Sequence, residues 1–156
     1  MKIYIAGSFS TPENKKSLEK MIDLVHTHHK EYELYIPMEY KVEGDFLKDD
    51  GTWNLENHVW AENVFFADIS AINNSDMLIV LYNGHKGTTG TAFEIGYAYA
   101  LNKPIIAYIP EETIGKDVSL MIVNSFSGYM DKNGNIVDFN DNENERIKFL
   151  KKYNQK

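Results

Sequence analysis

The stretch of this chain best suited to chemistry is Gly87-Thr88-Thr89-Gly90-Thr91-Ala92-Phe93-Glu94-Ile95-Gly96-Tyr97-Ala98. It follows a continuous apolar run and opens a helical pattern, so Glu94 and nearby backbone donors face the ligand edge of a sheet. No Gly-Lys-Ser/Thr is present and the glycines lack dinucleotide spacing, which excludes a Walker loop and a dinucleotide fingerprint. Two roles fit Glu94. Thr91-Ala92-Phe93-Glu94 reads as a capping box, with Glu94 reaching back to the Thr91 amide. A carboxylate in the first helical turn is also held ionised by the helix dipole, the state a carboxylate nucleophile requires. The two roles are compatible. Asp68, in Phe65-Phe66-Ala67-Asp68-Ile69, is the second acid of interest, although an acid so placed usually faces solvent. Asp76 reads as a turn residue between helix and strand. His26, His28 and His29 gather at a helix end, where cations suit the dipole. No acid stands near them at ligand spacing, so no metal site is expected. His58 and His85 are isolated, and His85 reads as a solvated loop residue.

The elements that must position these residues alternate between strand and helix. Residues 2–6 form a β-rich run that stops at Gly7. Thr11-Pro12-Glu13 then supplies an N-cap, a first-position proline and an early acid. Leu18, Met21, Ile22 and Val25 fall at helical spacing, which carries the helix to about residue 29. A strand over 32–36 ends at Pro37, and the polar residues 38–52 read as a long loop. Val59, Trp60, Val64, Phe65, Ile69 and Ile72 suggest one long helix or two short ones over 53–72. Residues 77–82 read as a central parallel strand, 84–90 as a turn, 91–101 as a helix and 104–109 as another strand. Beyond Pro110 the pattern gives a short helix within 115–124, a hairpin turn at 131–135 and a charged helix over 143–153. Ile147, Phe149 and Leu150 are the expected contact residues of that last helix. The alternation predicts a single-domain α/β three-layer sandwich over residues 1–156. Its sheet should be mostly parallel, flavodoxin- or Rossmann-like, with right-handed crossovers. The carboxyl ends of the strands then carry Gly7-Ser8-Phe9, the loop after 36, residues 83–91 and the segment after Pro110.

Whole-chain features narrow the functions. A formal net charge of −7 disfavours binding to a nucleic-acid polymer, whose phosphates need a positive surface. The absence of cysteine excludes disulfides, zinc–thiolate sites and a cysteine nucleophile. The opening apolar run is too short for a signal peptide and no membrane-length apolar stretch occurs, so a cytoplasmic, membrane-free protein is expected.

Several of these pieces together resemble the nucleoside 2-deoxyribosyltransferase family. They are Tyr4 with Ala6-Gly7, then Trp60-Ala61 with Asp68 eight positions after the Trp, then Asp76-Met77-Leu78. The residues from Gly90 to Ala98 resemble the family's nucleophile motif. Ile109-Pro110-Glu111-Glu112, Gly115-Lys116 and Leu120-Met121 resemble its next segment. The likeness runs in order over about residues 2–125. It implies that Glu94 attacks C1′ of a 2′-deoxynucleoside and displaces the base, leaving a covalent deoxyribosyl-enzyme that a second nucleobase, or water, resolves. It also implies that Tyr4 orients Glu94 and that Asp68 protonates or hydrogen-bonds the departing base. Gly7, Ser8, Thr88, Gly90, Ser119 and Met121 would contact substrate, with no cofactor or metal. Ser119 and Met121 would reach the sugar from a neighbouring subunit of a homo-oligomer, although on spacing alone Met121 reads as core, and Tyr97 and Tyr99 as packing residues. Ribonucleosides are expected to be poor substrates, because a 2′-hydroxyl destabilises an oxocarbenium-like transition state.

The chain departs from the family pattern in places. Thr88 stands six residues before Glu94 where many members carry an aspartate, and Ser119 where some carry asparagine. Glu39-Tyr40-Lys41-Val42-Glu43 lacks the glutamine of the best-known members' base-contact loop, and the tail also differs. Two alternatives stay open. One is a deoxynucleoside 5′-monophosphate N-glycosidase, in which Ser8 and Ser119 would lie near the phosphate; Arg146 as the only arginine disfavours it. The other is a nucleoside- or nucleotide-binding module without turnover.

Overall fold

Alternation along the strands sorts the apolar side chains into two layers, one on each face of a six-stranded sheet. The computed structural model describes residues 1–40, 58–84, 89–113 and 118–153. Its strands are β1 (Lys2–Ala6), β2 (Glu33–Tyr35), β3 (Met77–Leu81), β4 (Ile105–Tyr108), β5 (Gly128–Met130) and β6 (Ile136–Asp138). They order as β2-β1-β3-β4-β5-β6, all parallel except β6, which runs antiparallel to β5. The helices are α1 (Pro12–His28), α2 (His58–Asn74), α3 (Thr89–Ala100), α4 (Leu120–Val123) and α5 (Glu143–Tyr153). This is the flavodoxin-like order, with its switch point between β1 and β3.

The order explains where the helices lie. From β1 the chain steps one way to β2, and afterwards it steps only the other way. Right-handed crossovers then put α1 on one face and the later helices on the opposite one. The core divides accordingly. Ile3, Ile5, Ile79 and Leu81 pack with Leu18, Met21, Ile22 and Val25 of α1. Tyr4, Ala6, Leu78 and Val80 pack with Ile72, Ile95, Ala98, Val123 and Phe149 of the other helices. All of β3 is buried, as a central parallel strand covered on both faces must be.

Local chemistry sets the boundaries. Thr11 Oγ1 accepts the Asn14 amide at 3.2 Å with Pro12 as the first helical residue, the expected start of α1. At the hairpin, the Asp131 carboxylate accepts from the amides of Asn133 and Asn135, and Gly134 takes φ 85°. His29 Nε2 donates to the Gly134 carbonyl at 2.8 Å, so the hairpin tip rests on the end of α1. Among the described residues no cluster of metal-ligating side chains forms, around these histidines or elsewhere.

Some boundaries differ from the sequence reading. β2 covers only Glu33–Tyr35 rather than 32–36, and α2 is one helix that continues to Asn74. α3 begins at Thr89, two residues before Thr91, so Gly90 lies in a helix and not in a turn. The short helix is confined to Leu120–Val123. The start of the 53–72 helix, most of the 38–52 loop, His85 and Gly115-Lys116 lie outside the described residues. No helix among the described residues is long and apolar enough to cross a membrane.

Candidate active site

Tyr4 stands opposite Tyr35 in the parallel register of β1 and β2, on the face covered by α2 and α3. Its ring is fully buried, and its hydroxyl donates to Glu94 Oε1 at 2.6 Å. Glu94 reaches this position from the second turn of α3. Because the helix starts at Thr89, Thr91 sits inside it, and the Glu94 carboxylate goes to Tyr4 instead of forming the capping box.

Asp68 comes from α2 and is half-buried, not solvent-facing. Its Oδ1 accepts the Tyr35 hydroxyl at 3.3 Å. The Tyr4 and Tyr35 rings stack at 5.6 Å and 14°. Two neighbouring strands thus present two tyrosines, and each hydroxyl serves one carboxylate.

Burial dominates the electrostatics. It pushes Glu94 up to about 7; the Tyr4 bond pulls the other way, and the Asp68 charge adds to the rise. The helix dipole therefore does not keep Glu94 at an ordinary carboxylate value, contrary to the sequence reading. Asp68 is also raised by burial, with the Tyr35 bond opposing it. Burial, followed by the charge on Glu94, holds Tyr4 far above the usual phenol range, so it remains a neutral donor.

The other expected contacts fall unevenly. At Gly7 an added Cβ would meet Leu18 Cδ1 at 2.9 Å and Leu81 Cβ at 3.0 Å, so packing of α1 on β3 already favours glycine there. Ser8 Oγ accepts from Asn14 Nδ2 at 3.3 Å, and Asn14 Oδ1 accepts from Asn83 Nδ2 at 3.1 Å. This polar chain links the loops after β1 and β3. Asn83 Oδ1 is buried and lacks a hydrogen-bond partner among the described residues. An exposed Gly90 leaves open space where a Cβ would go. Ser119 donates its amide to the Tyr82 hydroxyl at 3.0 Å. Met121 is 84% exposed, which overturns its reading as a core residue. Tyr97 donates to Asn73 Oδ1 at 3.1 Å, as a packing residue can, whereas Tyr99 is exposed. Thr88 lies outside the described residues.

Sequence reasoning missed Tyr35, Asn14 and Asn83. Tyr35 gave only a strand pattern, and its pairing with Tyr4 is a matter of register. The signal for Asn14 was an amide in the first turn after an N-cap, beside a loop at the ligand edge. A separate cavity of about 440 Å³, lined in part by Tyr108, Pro110, Tyr129 and Lys152, contains none of Tyr4, Asp68 or Glu94. Charged groups around it pair with each other, as Lys132 does with Glu111 and Lys148 with Glu145.

The nucleoside 2-deoxyribosyltransferase family model matches residues 3–138, a span that contains Tyr4, Asp68 and Glu94. The chain is 29% identical over 124 residues to a nucleoside deoxyribosyltransferase of Lactobacillus leichmannii, covering 74% of each chain. It is 27% identical over 125 residues to one of Lactobacillus johnsonii, covering 75% of this chain and 78% of the relative. Among solved structures, a 2-deoxyribosyltransferase from Bacillus psychrosaccharolyticus matches with a TM-score of 0.69 at 26% identity, covering 92% of this chain and 91% of that one. The chain belongs to the nucleoside 2-deoxyribosyltransferase family.

Proposed function

We propose that the protein transfers the 2-deoxyribosyl group of 2′-deoxynucleosides between nucleobases, with Glu94 as nucleophile. The observation that carries this reading is the 2.6 Å Tyr4–Glu94 bond beside Asp68, at the switch point of a parallel sheet. A Glu94 oxygen bonds to C1′ while the C1′–N bond breaks and its electron pair leaves with the base. Asp68 gives a proton to the base nitrogen as that charge develops. An incoming base then attacks C1′ through a ring nitrogen, Glu94 leaves as carboxylate, and Asp68 takes up the proton that this nitrogen loses; two inversions give net retention. Tyr4 aims the carboxylate. The unpartnered Asn83 oxygen, with Asn14 and Ser8, is suited to receive a sugar hydroxyl. A second copy of the chain completes the site through the segment bearing Ser119 and Met121.

The test is a chromatographic exchange assay. Protein is incubated with deoxyinosine or thymidine plus excess adenine or cytosine, beside a Glu94→Ala control. A new deoxynucleoside, absent from the control, is expected. Free base alone would indicate a hydrolase, to be tried next on deoxynucleoside monophosphates. Retained nucleoside binding without any base release would instead mark a binding module.

A further inference from the structure

We infer that Tyr35 is a positioning residue for Asp68, its hydroxyl fixing the carboxyl that hands a proton to the departing base. The inference rests on the glycosyl-transfer reading above and adds a residue to it. Tyr35 and Tyr4 are register partners, so their rings leave the sheet side by side and stack. Tyr40 covers Tyr35 as well, at 5.2 Å and 37°. With a ring contact to each, Tyr35 has little freedom to turn, and its hydroxyl is aimed at Asp68 Oδ1. At 3.3 Å that bond is long for O–H···O and leaves room to shorten. A hydroxyl bonded to a carboxyl oxygen favours the ionised form. The bond therefore strengthens as Asp68 gives its proton to the base nitrogen, when the C1′–N bond breaks and the bond from Glu94 forms. Tyr4 serves the nucleophile and Tyr35 the acid. Stacking couples the two placements.

The test is Tyr35→Phe, which keeps both ring contacts and deletes the hydroxyl. It is assayed beside wild type and Glu94→Ala, on a 2′-deoxynucleoside that the wild type turns over. The expected result is a kcat about tenfold lower, the scale of one hydrogen bond lost from a transition state, with KM within about twofold. The limb of the kcat–pH profile that Asp68 sets should also move to higher pH, because ionised Asp68 has lost a donor. A lower kcat with an unmoved limb would reduce Tyr35 to a packing residue and overturn the inference. Wild-type kcat and limb in the variant would do the same while leaving the transferase reading intact. Absence of turnover in the wild type on every deoxynucleoside would sink both, and a thermal melt of the variant checks that its fold survives.

Discussion

At the scale of the residue, the central question is where one proton sits. Glu94 and Asp68 are both raised by burial, and the charge on Asp68 raises Glu94 further, so the two titrations are linked. The productive form has Glu94 ionised and Asp68 protonated, which is the form with one proton on the pair. The last proton leaves the pair as pH passes about 7, the value reached by Glu94. We predict a bell-shaped kcat/KM profile with its maximum below neutrality and its alkaline limb near pH 7. In Asp68→Asn the alkaline limb should vanish, and kcat should fall by about 10²–10⁴, the usual worth of a placed acid. A wild-type profile that rises through pH 7 to a plateau would mean that Asp68 only accepts a hydrogen bond. The same carboxyl bears on stability. Folded Glu94 keeps its proton up to about pH 7, whereas the unfolded chain releases it near the ordinary glutamate value of 4.5. The native state thus binds more protons between these values, and stability falls as pH rises through that window. Glu94→Gln should therefore be more stable than wild type at pH 8, by about 3 kcal/mol, while losing activity. Its gain should disappear near pH 4, which urea unfolding at the two pH values measures.

At the scale of the element, two glycines that sequence could not tell apart make opposite predictions. Gly7 has Leu18 and Leu81 within about 3 Å of its missing Cβ. Gly7→Ala should then cost about 1–3 kcal/mol through overpacking. Gly90 has no positive φ, lies in the first turn of α3 and meets nothing. Gly90→Ala should gain about 0.4–1 kcal/mol. Unchanged activity in that variant would remove Gly90 from the substrate contacts, and a large loss with the expected gain in stability would place it there. Both changes are read by thermal melts and the exchange assay. This contrast marks how far the sequence was legible. β1, α1, β3 and α3 could be read because apolar spacing and the Thr11-Pro12 start are local signals. The partner of Glu94 could not be read locally. The capping box uses neighbours three residues apart, whereas Tyr4 arrives from 90 positions away. The same holds for Asp68, whose half-buried state depends on α2 lying against the face from which Tyr35 projects.

At the scale of the whole molecule, one side of the protein exposes a joined apolar surface. Phe66, Phe65 and Phe93 are 62%, 48% and 53% exposed, yet their rings form a continuous run that continues to Tyr97. Beside α3, α4 adds Leu120 at 61% and Met121 at 84%. Scattered exposed apolar residues are ordinary, but a joined aromatic strip along α2 and α3, the helices that carry Asp68 and Glu94, is what a partner surface requires. The sequence could name Met121 through resemblance, whereas its exposure and the strip beside it depend on how α2, α3 and α4 lie together. We predict that the protein sediments as a homo-oligomer, and that Phe66→Glu or Met121→Glu shifts it to monomer without unfolding it. A charge forced into an apolar contact is costly to bury, so either change should act on assembly more than on the fold. Activity should fall with assembly, because the sugar would lose contacts supplied by the second copy. That loss should appear mainly in KM, since Glu94, Tyr4, Asp68 and Tyr35 all belong to one chain. Monomers with full kcat/KM would show that a single chain holds the complete site, and the apolar strip would then serve assembly alone.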